Sequence, residues 1–143
     1  MVDWLEKALR CVEAVERHCP GEVRAAFRTR ARQMASELYY VGAAYVMAVL
    51  AARSSEKDIF RDEALDAAVR SICESKSSKE EKGYALYGVC LRDALKELGL
   101  PADGLSSTLR QLRKMAGLVE ARLYEYADWL KKLAEAKFET ERE

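Results

Sequence analysis

The sequence predicts an all-α protein, a bundle of about five helices that includes two long ones at about 21–53 and 105–138. Apolar residues recur at the helical spacing of three or four along nearly the whole chain, and no stretch alternates as a half-buried strand does. The 143 residues include only two prolines, Pro20 and Pro101, so few positions interrupt a helix. A chain of this length can bury a sizeable core, and we expect one helical-bundle domain over residues 1–143.

The predicted shorter helices are delimited by local signals. Three starts have a small polar residue followed three positions later by an acidic one, the spacing of an N-terminal cap, at Asp3, Ser55 and Ser78. Pro20 separates the first helix from the second, and Gly99 ends the fourth. The polar segment 74–83 is the expected mobile loop before the fourth helix.

The second helix is expected to run over 21–53 and to bend at Gly42. Its inner positions keep the helical rhythm at Val23, Phe27, Met34, Leu38, Val41, Tyr45 and Val49. Its second half contains fifteen consecutive residues without a charge, 38–52. Spanning a bilayer takes about 20 apolar residues, so we expect this segment to fill the core, surrounded on all sides.

The last helix has the most regular pattern of the chain. Its apolar positions are spaced alternately by four and three residues, at Leu105, Leu109, Leu112, Ala116, Val119, Leu123, Tyr126, Leu130 and Leu133. A helix of about 30 residues spans about 45 Å and needs an equally long partner. The second helix is the candidate within this chain.

The overall charge limits the kinds of partner. Lysine and arginine number 24, and aspartate and glutamate also number 24, so nucleic-acid binding requires local basic patches. The chain contains no asparagine and only two glutamines, which is typical of thermophile proteins, although a GC-rich genome gives the same bias. The N-terminal segment MVDWLEKALR carries acidic residues and no apolar signal-peptide core, so we expect a cytoplasmic protein without membrane contact.

The residues that usually carry catalysis or bind metals do not form a recognisable set. The only histidine is His18, and the four cysteines, Cys11, Cys19, Cys73 and Cys90, contain no pair at zinc-ligand spacing. We expect the cysteines to be buried thiols. Phosphate-binding glycine loops and nucleophile motifs are absent from the sequence. We therefore predict no catalytic residues, no metal and no cofactor, and hence not an enzyme.

Basic residues are the best organised functional candidates. Arg24, Arg28 and Arg32 are spaced by four and form the basic stripe of the second helix, with Arg30 offset from it. A second basic cluster at the start of the last predicted helix consists of Arg110, Arg113 and Lys114, and the lysine pair consists of Lys131 and Lys132. No acidic residue lies between Glu22 and Glu37. Arginine side chains suit phosphate groups, so these nine residues are predicted to bind RNA, against the alternative that they are solvated helix faces.

Three segments resemble a known family. They are FRTRARQMASELYYVGAAYVMAVLAAR at 27–53, GYALYGVCLRDALKELGL at 83–100 and YEYADWLKKLAEAKFE at 124–139. In this order they resemble the small α-helical subunit of the type III-B CRISPR effectors, the Cmr complex. Phe27, Arg28, Arg30 and Gly42 correspond to the family's basic helix and its central glycine, and Trp129 and Leu130 belong to its C-terminal signature.

The resemblance implies a non-catalytic subunit of an antiviral ribonucleoprotein. Such subunits stack with copies of themselves, contact other subunits of the effector complex, and line the groove that holds guide RNA paired with target RNA. Two alternatives stay open: a helical protein–protein adaptor without nucleic-acid binding, and the small subunit of the sister type III-A complex. A ligand pocket inside the apolar bundle is a third hypothesis, which would need the convergent histidines or cysteines that the sequence lacks.

Overall fold

The computed structural model describes residues 2–115 and 117–142, and over these residues it contains eight helices and no strand. The helices are α1 (Trp4–His18), α2 (Gly21–Val41), α3 (Ala43–Arg53), α4 (Glu56–Ile59), α5 (Leu65–Glu74), α6 (Lys79–Glu97), α7 (Leu105–Lys114) and α8 (Leu118–Lys137). The all-α class is confirmed. The predicted number of about five was too low, because three of the predicted helices are interrupted.

The bundle is built around α6. This helix packs against α2, α3, α4 and α5, and every residue from Ala85 to Arg92 is buried. The long helix α2 also packs against α8, α1 packs against α8 and α5, and α3 packs against α7. Each helix of the described part of the chain is too short or too polar to span a bilayer.

The second predicted helix is divided at Gly42 into α2 and α3. Gly42 has φ 86° and ψ 166°, a conformation that is essentially restricted to glycine. The prediction of one helix over 21–53 was wrong because this backbone ends the helical hydrogen-bond series at Val41 and a new helix begins at Ala43. The two parts then contact different neighbours, since α2 packs against α8 and α3 against α7.

The last predicted helix is likewise divided, into α7 and α8. Gly117 has a positive φ of 90°, so the prediction of one helix over 105–138 was also wrong. Ala116, one of the predicted heptad positions, lies outside the described residues. Leu112, Val119, Leu123, Tyr126 and Leu130 are buried as predicted. The apolar pattern is present on both sides of the break because each half buries its own apolar positions, α7 against α3 and α8 against α1 and α2.

One carboxylate connects these two breaks. Oε1 of Glu120 accepts a hydrogen bond from the backbone N–H of Ala43 at 3.3 Å, and Oε2 accepts one from the N–H of Gly117 at 2.8 Å. Glu120 therefore caps the start of α3 and the start of its own helix at the same time.

The third predicted helix is split into α4 and α5 by a buried arginine. Arg92 on α6 is only 2% exposed, and its guanidinium donates to the backbone carbonyls of Ile59 at 2.8 Å, Arg61 at 2.6 Å and Glu63 at 2.8 Å. Burial lowers the pKa of Arg92. The carbonyls after α4 thus bond to a side chain instead of continuing a helix.

The four cysteines are buried, as predicted, but they form two disulfides, so the prediction of thiols was wrong. Cys11 on α1 is bonded to Cys90 on α6 with a Cα–Cα distance of 5.8 Å, and Cys19 is bonded to Cys73 on α5 with a Cα–Cα distance of 5.3 Å. Both separations are ordinary for disulfides. The partners are 79 and 54 residues apart in sequence, and only the packing of α1 beside α5 and α6 brings them together.

The uncharged segment 38–52 is only partly buried. Leu38, Val46, Met47 and Leu50 belong to the core, as expected. In contrast, four large side chains near the break at Gly42 are exposed, namely Tyr39, Tyr40, Val41 and Tyr45. The prediction that this segment is surrounded on all sides was wrong around the break, because the chain turns there at the surface of the bundle.

Candidate nucleic-acid interface

The central feature of the candidate site is the line of contact between α2 and α8, the α2–α8 seam. The two helices run antiparallel: Phe27, near the start of α2, lies 6.3 Å from Phe138, just after α8, measured between ring centroids. Near the other end, the ring centroids of Tyr39 and Tyr124 are 5.5 Å apart. Residues along α2 are therefore opposed by residues of α8 in reverse order.

The basic stripe lies beside this seam. Arg32 forms a salt bridge with Glu135 of α8 at 3.1 Å between Nε and Oε2, and Arg24 lines a surface cleft with Lys137 and Phe138. Arg28 lies between them, one helical turn from each. From Arg24 to Arg32 the stripe is about 12 Å long, at a rise of 1.5 Å per residue.

The three arginines of the basic stripe differ in their surroundings. Arg24 and Arg28 are half-buried, and their Nε atoms are buried without a hydrogen-bond partner in the described part of the chain. Arg32 is exposed and its ion pair with Glu135 is largely solvated, so that pair adds little to stability. The absence of acidic residues from this part of α2 therefore did not predict that Arg32 has a carboxylate partner, because Glu135 comes from another helix.

Arg30 is offset from the basic stripe, as predicted, and it contacts α6. Its guanidinium carbon lies 4.4 Å from the ring centroid of Tyr84, and it also donates hydrogen bonds to the hydroxyl of Tyr84 and to Oε1 of Gln33, the latter at 3.0 Å. These contacts attach α2 to α6. A contact between Arg30 and RNA stays a prediction, and it would have to replace them.

The lysine pair lies on α8. Lys131 follows Tyr124 by seven residues, and Arg32 precedes Tyr39 by seven, so the antiparallel register puts Lys131 level with Arg32. Lys132 is exposed and donates to Oδ2 of Asp128 at 2.6 Å, and this hydrogen bond raises the pKa of Lys132. Lys131 thus extends the basic stripe across the seam, whereas the charge of Lys132 is shared with Asp128.

The second basic cluster lies on α7, separate from the seam, and is called the α7 cluster below. Arg110, Arg113 and Lys114 are all exposed, and among the residues that the structure describes they form no salt bridge. Arg113 and Lys114 follow Arg110 by three and four residues, so the three side chains lie on one side of α7. This side faces solvent, while α7 packs against α3. The nine predicted residues therefore fall into three groups. Five lie on α2 and α8, three form the α7 cluster, and Arg30 contacts α6.

Histidine and acidic side chains do not form a metal-binding group in residues 2–115 and 117–142. His18 lies at the end of α1, where Nε2 is 3.1 Å from both carboxylate oxygens of Asp66, and Arg17 also contacts this carboxylate. The hydrogen bond from His18 is the main reason that the pKa of Asp66 is lowered. This cluster links α1 to α5 at the protein surface.

No family profile matches the chain, and no curated protein matches its sequence. The fold matches a chain in the cryo-EM structure of the type III-B Cmr-beta complex bound to non-cognate target RNA. The two chains are 21% identical, and they superpose with a TM-score of 0.72 over 98% of this chain and 99% of that one.

The protein has the fold of a chain of the type III-B Cmr-beta complex. The sequence resembles a subunit of the Cmr complex, and this resemblance is confirmed at the level of the fold. Because the match covers both chains almost from end to end, it includes the arrangement of the whole bundle and not only one helix pair.

Sequence reasoning did not identify one group of exposed side chains, the aromatic patch formed by Tyr39, Tyr40 and Tyr124. The sequence favours a core or subunit-interface position over base stacking for Tyr39, Tyr40 and Trp129. Trp129 packs against the core, whereas Tyr39 and Tyr40 are 68% and 78% exposed and so lie outside it. Tyr124, for which the sequence makes no prediction, is 41% exposed. Tyr39 follows Arg32 by seven residues, two helical turns, and so continues the side of α2 that carries the basic stripe. This spacing was visible in the sequence.

Proposed function

We propose that this protein is the non-catalytic small subunit of a type III-B CRISPR effector complex. In this role it binds guide and target RNA along the α2–α8 seam, stacks with copies of itself and contacts other subunits. The observation that carries the proposal is the fold match over almost the full length of a chain from an RNA-bound Cmr-beta complex. A match over both whole chains supports a dedicated subunit of similar size.

The charges along the seam support binding to an RNA backbone. The basic stripe and Lys131 supply four positive charges. The carboxylate of Glu135 opposes them at Arg32, and those of Glu22, Glu139 and Glu141 line the cleft beside Arg24. Phosphate oxygens can replace a solvated carboxylate partner, since such an exposed ion pair is weak. Contacts of this kind release counterions and do not depend on the base sequence.

The first test measures RNA binding by fluorescence anisotropy over a salt series, using a labelled single-stranded RNA. If four phosphates are neutralised, the slope of log K against log salt should be about −3. We expect the variant Arg24→Glu/Arg28→Glu/Arg32→Glu to lose binding, while its circular dichroism spectrum stays helical. The same RNA incubated with the protein and Mg²⁺ should stay intact if the subunit is non-catalytic.

Two further variants make this test specific. Arg10→Glu/Arg53→Glu/Arg70→Glu has the same change in net charge but lies away from the seam, and it should bind RNA within twofold of the wild type. Arg32→Glu/Lys131→Glu avoids the half-buried arginines and should still weaken binding about tenfold or more. If seam and control variants lose affinity equally, the seam is not the RNA site. If the wild-type protein binds no RNA at low salt, the adaptor function is favoured.

A further inference from the structure

The basic stripe leads directly into the aromatic patch. Tyr39 lies on the same side of α2 as Arg32, two turns further along, and Tyr124 approaches it from α8. Tyr40 meets Tyr39 edge to face, with ring centroids 5.1 Å apart. From Arg24 to Tyr39 the distance along α2 is about 22 Å. One face of the molecule therefore carries positive charge along its length and aromatic rings at its end.

The aromatic patch is not explained by packing. The core beneath it is completed by Leu38 and Leu123, which are buried. Tyr39 contacts both Tyr40 and Tyr124, and all three tyrosines are exposed. A group of three large, exposed aromatic side chains, joined through Tyr39, indicates an interaction site. The segment 38–52, which contributes Tyr39 and Tyr40, has no charged residue that would repel or compete with a partner.

We propose that Tyr39, Tyr40 and Tyr124 form a stacking platform for an unpaired RNA base, whose backbone is held by the basic stripe and Lys131. The inference rests on the proposed RNA-binding function and specifies the form of RNA at one end of the seam. Aromatic rings combined with a basic track are the usual means of binding single-stranded nucleic acid, because every base has a π-face and every nucleotide a phosphate. Bases inside a duplex are stacked on each other and cannot reach such a platform.

Charge favours RNA over a protein as the occupant of the aromatic patch. The patch is continuous with four basic residues on the seam, and the two carboxylates nearest to it on α8, Glu135 and Asp128, are already paired with Arg32 and Lys132. Further carboxylates line the cleft at the far end of the stripe, beside Arg24: Glu22, Glu139 and Glu141. A phosphate backbone complements this distribution along the whole 22 Å, whereas an apolar protein surface would complement only the tyrosines.

The test compares a single-stranded RNA containing 2-aminopurine with a fully paired RNA duplex of the same length. For Tyr39→Ala/Tyr40→Ala/Tyr124→Ala we expect about tenfold weaker binding of the single strand and loss of 2-aminopurine quenching. Duplex affinity and the salt slope should stay unchanged, because the phosphate contacts remain. The variant with phenylalanine at the same three positions should bind like the wild type, since it keeps the rings.

The control is Tyr45→Ala, which removes a tyrosine that is also well exposed, 58%, but lies on α3 beyond the break. It should not change RNA binding. If the triple alanine variant binds the single-stranded RNA as tightly as the wild type does, the stacking platform is overturned while the proposed function stays intact. If the triple variant instead changes the sedimentation of the protein alone, without RNA, the patch binds protein and the inference is wrong. Absence of any RNA binding by the wild type would overturn both proposals.

Discussion

At the residue scale, Arg92 is the clearest case of one side chain deciding local structure. Its guanidinium satisfies three backbone carbonyls in the connection between α4 and α5, and no carboxylate forms a salt bridge with it among the described residues. In the sequence it stands between Leu91 and Asp93 and has no feature that separates it from a solvated arginine. Its role depends on carbonyls about 30 residues earlier, which a local pattern cannot reveal.

Replacing this arginine should destabilise the protein. Arg92→Met keeps much of the apolar volume but leaves buried carbonyls without donors, and we expect a loss of about 2–4 kcal/mol in the free energy of unfolding. Urea denaturation followed by circular dichroism measures this directly. Arg70→Met, at an exposed site on α5, is the matched control and should change stability by less than about 0.5 kcal/mol. Equal stability of the two variants would show that Arg92 does not hold the connection.

At the element scale, the two long predicted helices, both of which are interrupted, show what periodicity can and cannot predict. The heptad pattern located the inner side of α7 and α8 correctly, and it identified α2 as the partner of α8. It could not detect the breaks, because a helix that turns and continues still buries every third or fourth residue. The informative residues were Gly42 and Gly117, whose positive φ values are easily adopted only by glycine.

The shared cap of Glu120 should couple the two breaks. Glu120→Ala removes the acceptor of both the Ala43 and the Gly117 N–H, and we expect a loss of about 1–2 kcal/mol in stability. Hydrogen exchange should accelerate at both amides, which lie 74 positions apart in the chain. Glu125→Ala on the exposed side of the same helix is the control and should leave both amides unchanged. Faster exchange at Gly117 alone would mean that α3 is capped independently.

At the scale of the whole molecule, the helical class, most core positions and the RNA-binding candidates followed from spacing, whereas the disulfides and charge pairs did not. Cys11 and Cys90, or Arg32 and Glu135, become neighbours only through the packing of distant helices. Disulfides are rare in cytosolic proteins, with those of hyperthermophiles as the exception. The thermophile-type composition and the two disulfides are therefore consistent with each other.

Removing either disulfide should lower the free energy of unfolding by about 2–4 kcal/mol, because each closes a long loop in the unfolded chain. The variants Cys11→Ala/Cys90→Ala and Cys19→Ala/Cys73→Ala test them separately by thermal denaturation. Alkylation of the unreduced, denatured protein, followed by mass spectrometry, checks the pairing itself and should modify no cysteine. Modification of all four would contradict the disulfides.

The two disulfides are also nested, since the bond between Cys19 and Cys73 lies inside the loop closed by Cys11 and Cys90. The polypeptide from 11 to 90 is thus a covalent ring, crossed by a second link. A single protease cut at any exposed connection in this ring, such as the one between α4 and α5, opens the ring without releasing a fragment. The protein can therefore be nicked over more than half of its length and still remain one molecule, until a reductant separates the pieces.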